Sequence, residues 1–340
     1  MREGRAYAYI TVLLVVFFLF IEVKLRIEGT YDSYMEKIGY NWRSPYATDG
    51  KVHSGIRKYN PDEEVTTDHG EFSFTWRSNR LGYRESKPIT DSGKSIFIYG
   101  DSFIEGVGAP EDSTIVSQIN RRLAVLSDDW NAFNFGVTGS DPYFDLRALT
   151  QLHADLQPTA VLFAVNESDL NDVIIRGGQG RFREDGTTKY RSDPWFVPFY
   201  GASHIVRALV HALGYDWLFV HPKDQTEVSR WAKATLLEAL DEAHAFCESR
   251  DIRFMMVCIP LPIPHCSGWE EQISGIDWKD LNVIRLDKSI PDTICGSSGR
   301  RFYWPIDGHY NGRGYTLLGD VIFDEIMAQH PDFFTIDSVP

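Results

Sequence analysis

The sequence predicts an α/β protein: a three-layer α/β/α sandwich with a central, mostly parallel five-stranded sheet, preceded by an N-terminal transmembrane helix. Three observations carry this. Short apolar runs at 95–99, 131–136, 160–165, 254–259 and 281–286 alternate with helix-like stretches near 113–126, 143–156, 228–250 and 314–329, the order expected of βαβ units. The first three runs end in polar or glycine-containing clusters, as they do where loops beyond a parallel sheet form a crevice. Finally, residues 6–21 carry no charge and centre on Val12-Leu13-Leu14-Val15-Val16-Phe17-Phe18-Leu19-Phe20.

In chain order, the apolar stretch comes first. Its uncharged part falls short of the roughly 20 residues a bilayer needs. Glu22, Lys24 and Arg26 can snorkel to the membrane edge and extend the helix, while Tyr7 and Tyr9 suit the opposite interface. A cleaved secretion signal is the rival reading. No small-x-small site follows the apolar run, so residues 1–28 are taken as an uncleaved anchor. Arg2 and Arg5 before the helix balance Lys24 and Arg26 after it. The large domain is placed outside, because long domains translocate regardless of charge.

Residues 29–94 are polar and are expected to form a collar, with a half-buried strand over 71–76 and a turn over 77–84. Residues 95–340 form the main domain, with an insertion around 170–226. Cys266 and Cys295 bracket a loop-rich segment and are candidates for a disulfide; Cys247 and Cys258 read as small buried side chains. The net charge of -14 disfavours a nucleic-acid-binding surface. No His/Cys cluster has metal-ligand spacing, and no cofactor is expected.

The strand ends carry the chemistry. The first run leads into Gly100-Asp101-Ser102, the second into Gly136-Val137-Thr138-Gly139, and the third into Asn166-Glu167-Ser168-Asp169; Asp307-Gly308-His309 precedes the closing helix. A serine hydroxyl needs a base to take its proton, and the base needs a third group to fix its tautomer. Ser102, His309 and Asp307 suit those roles. The backbone N–H groups of Ser102 and Gly139 and the side-chain amide of Asn166 suit an oxyanion hole. Each residue also has an ordinary structural reading: a turn for Asp307, a cap for Asn166, a positive-φ position for Gly139. Asp169 and Asp172 read as solvated. Trp217 and Trp304 read as packing residues.

The ordered combination of Gly-Asp-Ser-Phe, Asn134 to Gly139, Asn166 and Asp-x-His resembles the SGNH (GDSL-type) hydrolases, whose Ser, Gly, Asn and His fall here on Ser102, Gly139, Asn166 and His309. The likeness covers about residues 95–329. Together with the 79–84 segment it looks like a membrane-anchored bacterial branch acting on exported polysaccharides. That resemblance implies a single-pass protein of the bacterial inner membrane with a periplasmic domain. Its activity would be a serine esterase or O-acyltransferase on acyl, chiefly acetyl, esters of a glycan or small ester substrate. Three departures stand out. Ala164-Val165-Asn166-Glu167 replaces the usual Gly-x-Asn-Asp. Ile306 occupies the usual acid position, so the acid is Asp307, a spacing similar to the alginate O-acetylation proteins. The 170–226 segment is long and aromatic, with Trp195, Phe196, Phe199 and Tyr200 reading as a sugar cleft or a packed lid. The competing reading is a non-catalytic subunit of a membrane protein complex, with Glu22 facing a protein partner or pairing with Arg26.

Overall fold

Five strands run parallel in the order β4-β3-β5-β6-β7: β3 (Lys94–Gly100), β4 (Trp130–Gly136), β5 (Ala160–Val165), β6 (Arg253–Cys258) and β7 (Val283–Arg285). A separate antiparallel hairpin, β1 (Glu64–Asp68) with β2 (Ser73–Arg77), precedes them. These come from a computed structural model that describes residues 2–37, 41–44, 56, 59–85, 94–126, 129–184, 192–262, 278, 281–290, 294 and 301–334. Cys266 and Cys295, the expected disulfide pair, lie outside the described residues. Cys247 and Cys258 are buried free thiols.

The sheet is continuously apolar because both faces are covered, the usual condition of a parallel sheet. Alternate side chains serve the two faces. Ile96, Ile98, Leu162, Met255 and Val257 pack with α4 (Ile115–Leu126) and α10 (Gly312–Gln329), whose stripes at Ile115, Ile119, Leu123 and Leu318, Ile322, Ile326 are fully buried. On the opposite face Phe97, Tyr99, Phe133, Phe135 and Phe163 interlock ring to ring, with centroids 4.6–6.1 Å apart. α5 (Pro142–Leu152) and α9 (Gln225–Glu248) cover that face; His244 of α9 lies against Phe254 of β6. The three-layer sandwich is as the alternation of elements predicts.

The chain divides into two compact units, Met1–Ala47 with Ser192–Val228, and Thr48–Arg191 with Ser229–Pro340. The second holds the sheet. The first contains α1 (Arg2–Glu28), α2 (Tyr34–Lys37), α7 (Val197–Ala202) and α8 (His204–Ala212). The later part of the expected insertion thus clusters with the N-terminal residues. Within this unit Glu22 has an intramolecular partner. Its carboxylate accepts from Arg26 Nε at 2.7 Å, the Ser203 hydroxyl at 2.8 Å and the backbone N–H groups of His204 and Ile205 at 3.0 Å each. It therefore satisfies the first turn of α8 as an anion at a helix N-terminus should. Over Ala6–Glu28, α1 is long and apolar enough to cross a membrane.

Candidate active site

β3 ends at Gly100, where the chain breaks sharply into the single turn of α3 (Ser102–Glu105). Gly100 has φ +155°, and a Cβ there would lie 2.7 Å from Ile104 Cγ1 and 2.9 Å from the Ala164 carbonyl. Only glycine fits so close an approach. Asp101 caps α3, its Oδ1 accepting from Phe103 N at 2.9 Å, and Ser102 opens the turn above the sheet's carboxyl edge.

His309 comes from a tight loop before α10. An isolated bridge between Tyr303 and Tyr310 closes it, and Gly308 N donates to Trp304 O while Trp304 N donates to His309 O. Gly308, at φ +89°, lets Asp307 fold back on His309. Asp307 Oδ1 lies 2.6 Å from His309 Nδ1, and His309 Nε2 lies 2.7 Å from Ser102 Oγ. With Nδ1–H donated to the buried carboxylate, the lone pair on Nε2 faces the serine hydroxyl, the assignment the network favours. The Phe103 ring, centroid 5.2 Å from that of His309, helps fix the imidazole plane. Ser102, His309 and Asp307 are thus brought together although 207 residues separate Ser102 from His309.

Asn166 reaches the same edge as the N-cap of α6 (Glu167–Arg176). Its Oδ1 accepts from Ser168 N at 2.7 Å, and its Nδ2 donates to Asp101 Oδ2 at 2.9 Å. A primary amide carries two hydrogens, so one N–H is committed to holding Asn166 beside the serine turn. Gly139 has φ +72°, and a Cβ there would strike the Arg176 guanidinium at 2.3 Å. It is tied to α3 indirectly: Glu105 Oε2 accepts from both the backbone and the hydroxyl of Thr138, and Glu105 Oε1 accepts from Tyr59 at 2.7 Å.

Several supports were not singled out in the sequence. His69, in the turn of the β1–β2 hairpin, places Nδ1 3.4 Å from the second oxygen of Asp307. Glu71 Oε2 accepts from the backbone N–H groups of Ile306 and Asp307 at 2.9 and 2.7 Å. Arg84, buried and lying 5.2 Å over the Trp76 ring, donates to the carbonyls of Glu105, Gly106 and Ala109. The 59–85 segment is therefore a brace for both the serine turn and the acid loop. The strand-like run at 71–76 was the sequence signal in this region, and nothing in it points to residue 307.

Burial by itself would raise the Asp307 carboxyl. Hydrogen bonds from His309 and His69, and the charge those rings can carry, outweigh it and hold the group well below the usual carboxylate range. Asp169 is the opposite case and corrects the expectation of a solvated acid. It is 1% exposed, its Oδ2 accepts from Asn166 N at 2.7 Å, and burial together with the nearby Asp101 charge raises it well above the ordinary value. Burial also pushes Asp172 up to about 7, against the opposing pull of Arg176.

Among the described residues one His/Asp/Glu group has ligand atoms within 4.8 Å of one another, namely Asp32, Glu36 and His204. Both Glu36 oxygens already hold the Arg207 guanidinium at 2.8 Å, and His204 Nε2 lies 2.8 Å from Asp32. A cation is in place there already, and the group is an ionic lock.

No family model matches the chain, and no curated protein matches it. Structural comparison finds the psychrotrophic esterase EstA from Pseudoalteromonas sp., at 12% identity and TM-score 0.39 over 69% of this chain and 98% of that one. It also finds TesA, at 14% identity and TM-score 0.42 over 69% and 99%. A two-domain esterase (CEX) active on acetylated mannans is similar at 13% identity and TM-score 0.40 over 73% and 52%. At these scores neither the fold nor the chemistry of this chain rests on the likeness.

Proposed function

We propose that this chain is an SGNH-type serine ester hydrolase or O-acyltransferase, anchored in a bacterial inner membrane by α1 with its catalytic unit on the periplasmic side. The observation that carries the reading is the unbroken hydrogen-bonded line from Asp307 through His309 to Ser102, at 2.6 and 2.7 Å. A buried carboxylate, an oriented imidazole and a hydroxyl in that order constitute an activated nucleophile.

In the first half-reaction Ser102 Oγ attacks the ester carbonyl while its proton passes to His309 Nε2. Asp307, held ionised, stabilises the imidazolium. The carbonyl oxygen becomes an oxyanion, for which the N–H groups of Ser102 and Gly139 and the second N–H of the Asn166 amide are the proposed donors. Collapse breaks the bond to the alcohol, and His309 returns the proton to the leaving alkoxide. In the second half-reaction His309 takes a proton from water or from an acceptor hydroxyl as that oxygen bonds to the acyl carbon; collapse then breaks the bond to Ser102 Oγ, which recovers the proton from His309, giving hydrolysis with water or transfer with the acceptor. These steps use side-chain and backbone groups of the chain alone.

The substrate class, acyl and chiefly acetyl esters of an extracytoplasmic glycan, rests on the resemblance of the Asp-x-His spacing to alginate O-acetylation proteins. The intact Ser–His–Asp line counts against the second reading, a non-catalytic membrane subunit. Incubation with a serine-directed phosphonate, followed by intact-mass measurement, should add one phosphonyl group to the parent protein and none to Ser102→Ala, which should also lose turnover of a small acetyl ester. Labelling of Ser102→Ala at the parent rate would overturn the assignment.

A further inference from the structure

α8 is built inside out. Its buried side presents, beside Val210, Arg207, whose guanidinium bonds Glu36 and the carbonyls of Tyr31, Tyr200 and Gly201, and His204, which bonds Asp32. Its outward side presents Ile205, Leu209 and Leu213 at helical spacing, half-buried for the first and 58% and 67% exposed for the others. The same unit also exposes Trp195, Phe199 and Trp217, by 83%, 60% and 55%, with the Trp195 and Phe199 rings 6.5 Å apart. In water a short helix turns its charged face outward; apolar exposure on this scale marks an interaction surface.

The position of this surface in its unit names its occupant. Glu22 lies six residues from the end of the apolar span at Glu28, about 9 Å along the axis, and its carboxylate caps the first turn of α8. Arg26 adds a second tie through its bond to Ala202 O at 2.6 Å. α8 is therefore fastened to α1 near the level where acyl chains give way to headgroups. The exposed tryptophans and aliphatic side chains of this unit would have a natural solvent there, since indole favours the interface and leucine the acyl boundary.

We propose that α7 and α8 form an interfacial foot: the face of Leu209, Leu213, Trp195 and Trp217 dips into the bilayer that α1 crosses, while Arg207 and His204 lock its inner side to residues 31–36. The inference rests on the membrane anchoring proposed above. The foot would fix the tilt of α1, because two elements joined at Glu22 then meet the same interface.

The test uses the full chain in phosphatidylcholine vesicles whose acyl chains are brominated near the carbonyl end. α1 contains no tryptophan, so quenching of indole emission cannot come from the span. The emission of the parent should fall by about a fifth, the share of two tryptophans among nine. That loss should vanish in the Trp195→Leu/Trp217→Leu variant, whose substitutions lie on the surface. Resistance to alkaline carbonate extraction, read in the same vesicles, reports the anchor separately. Carbonate-resistant but unquenched protein, or quenching that persists in the double variant, overturns the foot and leaves the anchor standing. Protein extracted by carbonate overturns both. An unquenched parent in which Leu209→Cys cross-links to a second copy overturns it in favour of self-association.

Discussion

Asp307 carries two histidines, one on each carboxylate oxygen, and only one of them reaches the serine. His309 is held at 2.6 Å and His69 at 3.4 Å, while Glu71 fixes the backbone of the same loop. His69 is a positioning residue: it shares the anion and limits the rotation of the carboxyl group. A hydrogen bond to a charged group is worth about 1.5–3 kcal/mol, and the length of this one argues for the low end. His69→Ala should lower kcat on a small acetyl ester by about tenfold with KM little changed. His69→Asn, which keeps a donor, should recover much of that loss. An unchanged kcat in His69→Ala would show that Glu71 and Gly308 fix the acid unaided. Asp307→Asn should cost far more, in the range of about ten-thousand-fold known for a wrong imidazole tautomer.

At the level of elements, the segment after β4 that carries the proposed oxyanion donor Gly139 is held by how closely β4 meets α3. A Cβ on Gly136 would lie 2.1 Å from the Glu105 nitrogen and 2.6 Å from the Ile104 carbonyl carbon, both backbone atoms that cannot swing aside. Gly136→Ala should therefore destabilise the protein by about 3 kcal/mol or more and separate Thr138 from Glu105, seen as a lowered thermal midpoint with loss of phosphonate labelling. A midpoint within a degree or two of the parent would show that the strand end can retreat. The β1–β2 hairpin belongs to the same scale. Trp76, Val65 and Tyr59 give it a small core of its own, and together with Arg84 its Glu71 and His69 hold the two loops of the candidate site, which share no sequence neighbourhood.

For the whole molecule, carboxyls that are buried (Asp145, Asp169) or half-buried (Asp172) set the dependence of stability on pH. Asp145 and Asp169 are raised well above, and Asp172 to about 7 from, an ordinary value of 3.8. Through that window the native state binds more protons than the unfolded chain, so these groups make stability fall as pH rises from about 4 towards 7. Asp307, depressed, acts with the opposite sign: its contribution is present above 3.8 and is lost as pH falls below that value. Thermal unfolding in detergent should therefore show a midpoint declining between about pH 4 and 7, and a shallower decline in Asp172→Asn. A midpoint that rises across the window in the parent protein would refute this balance.

The sheet, its parallel order of apolar runs, the anchor-like helix and the triad candidates were legible in the sequence, because each depends on local periodicity or on a turn that few residue types can make. Gly100-Asp101-Ser102 announces a strand end wherever it lies, and sixteen uncharged residues announce an apolar helix. Which groups stand side by side was settled by packing alone. His69 meets Asp307, Glu22 caps α8, Asn166 shares its amide with Asp101, and Asp169 is buried. Such partners lie scores to hundreds of residues apart or depend on packing around them. A hydrogen bond across that separation leaves no period or composition in the chain; it exists because burying the two faces of one sheet draws distant loops to a single edge.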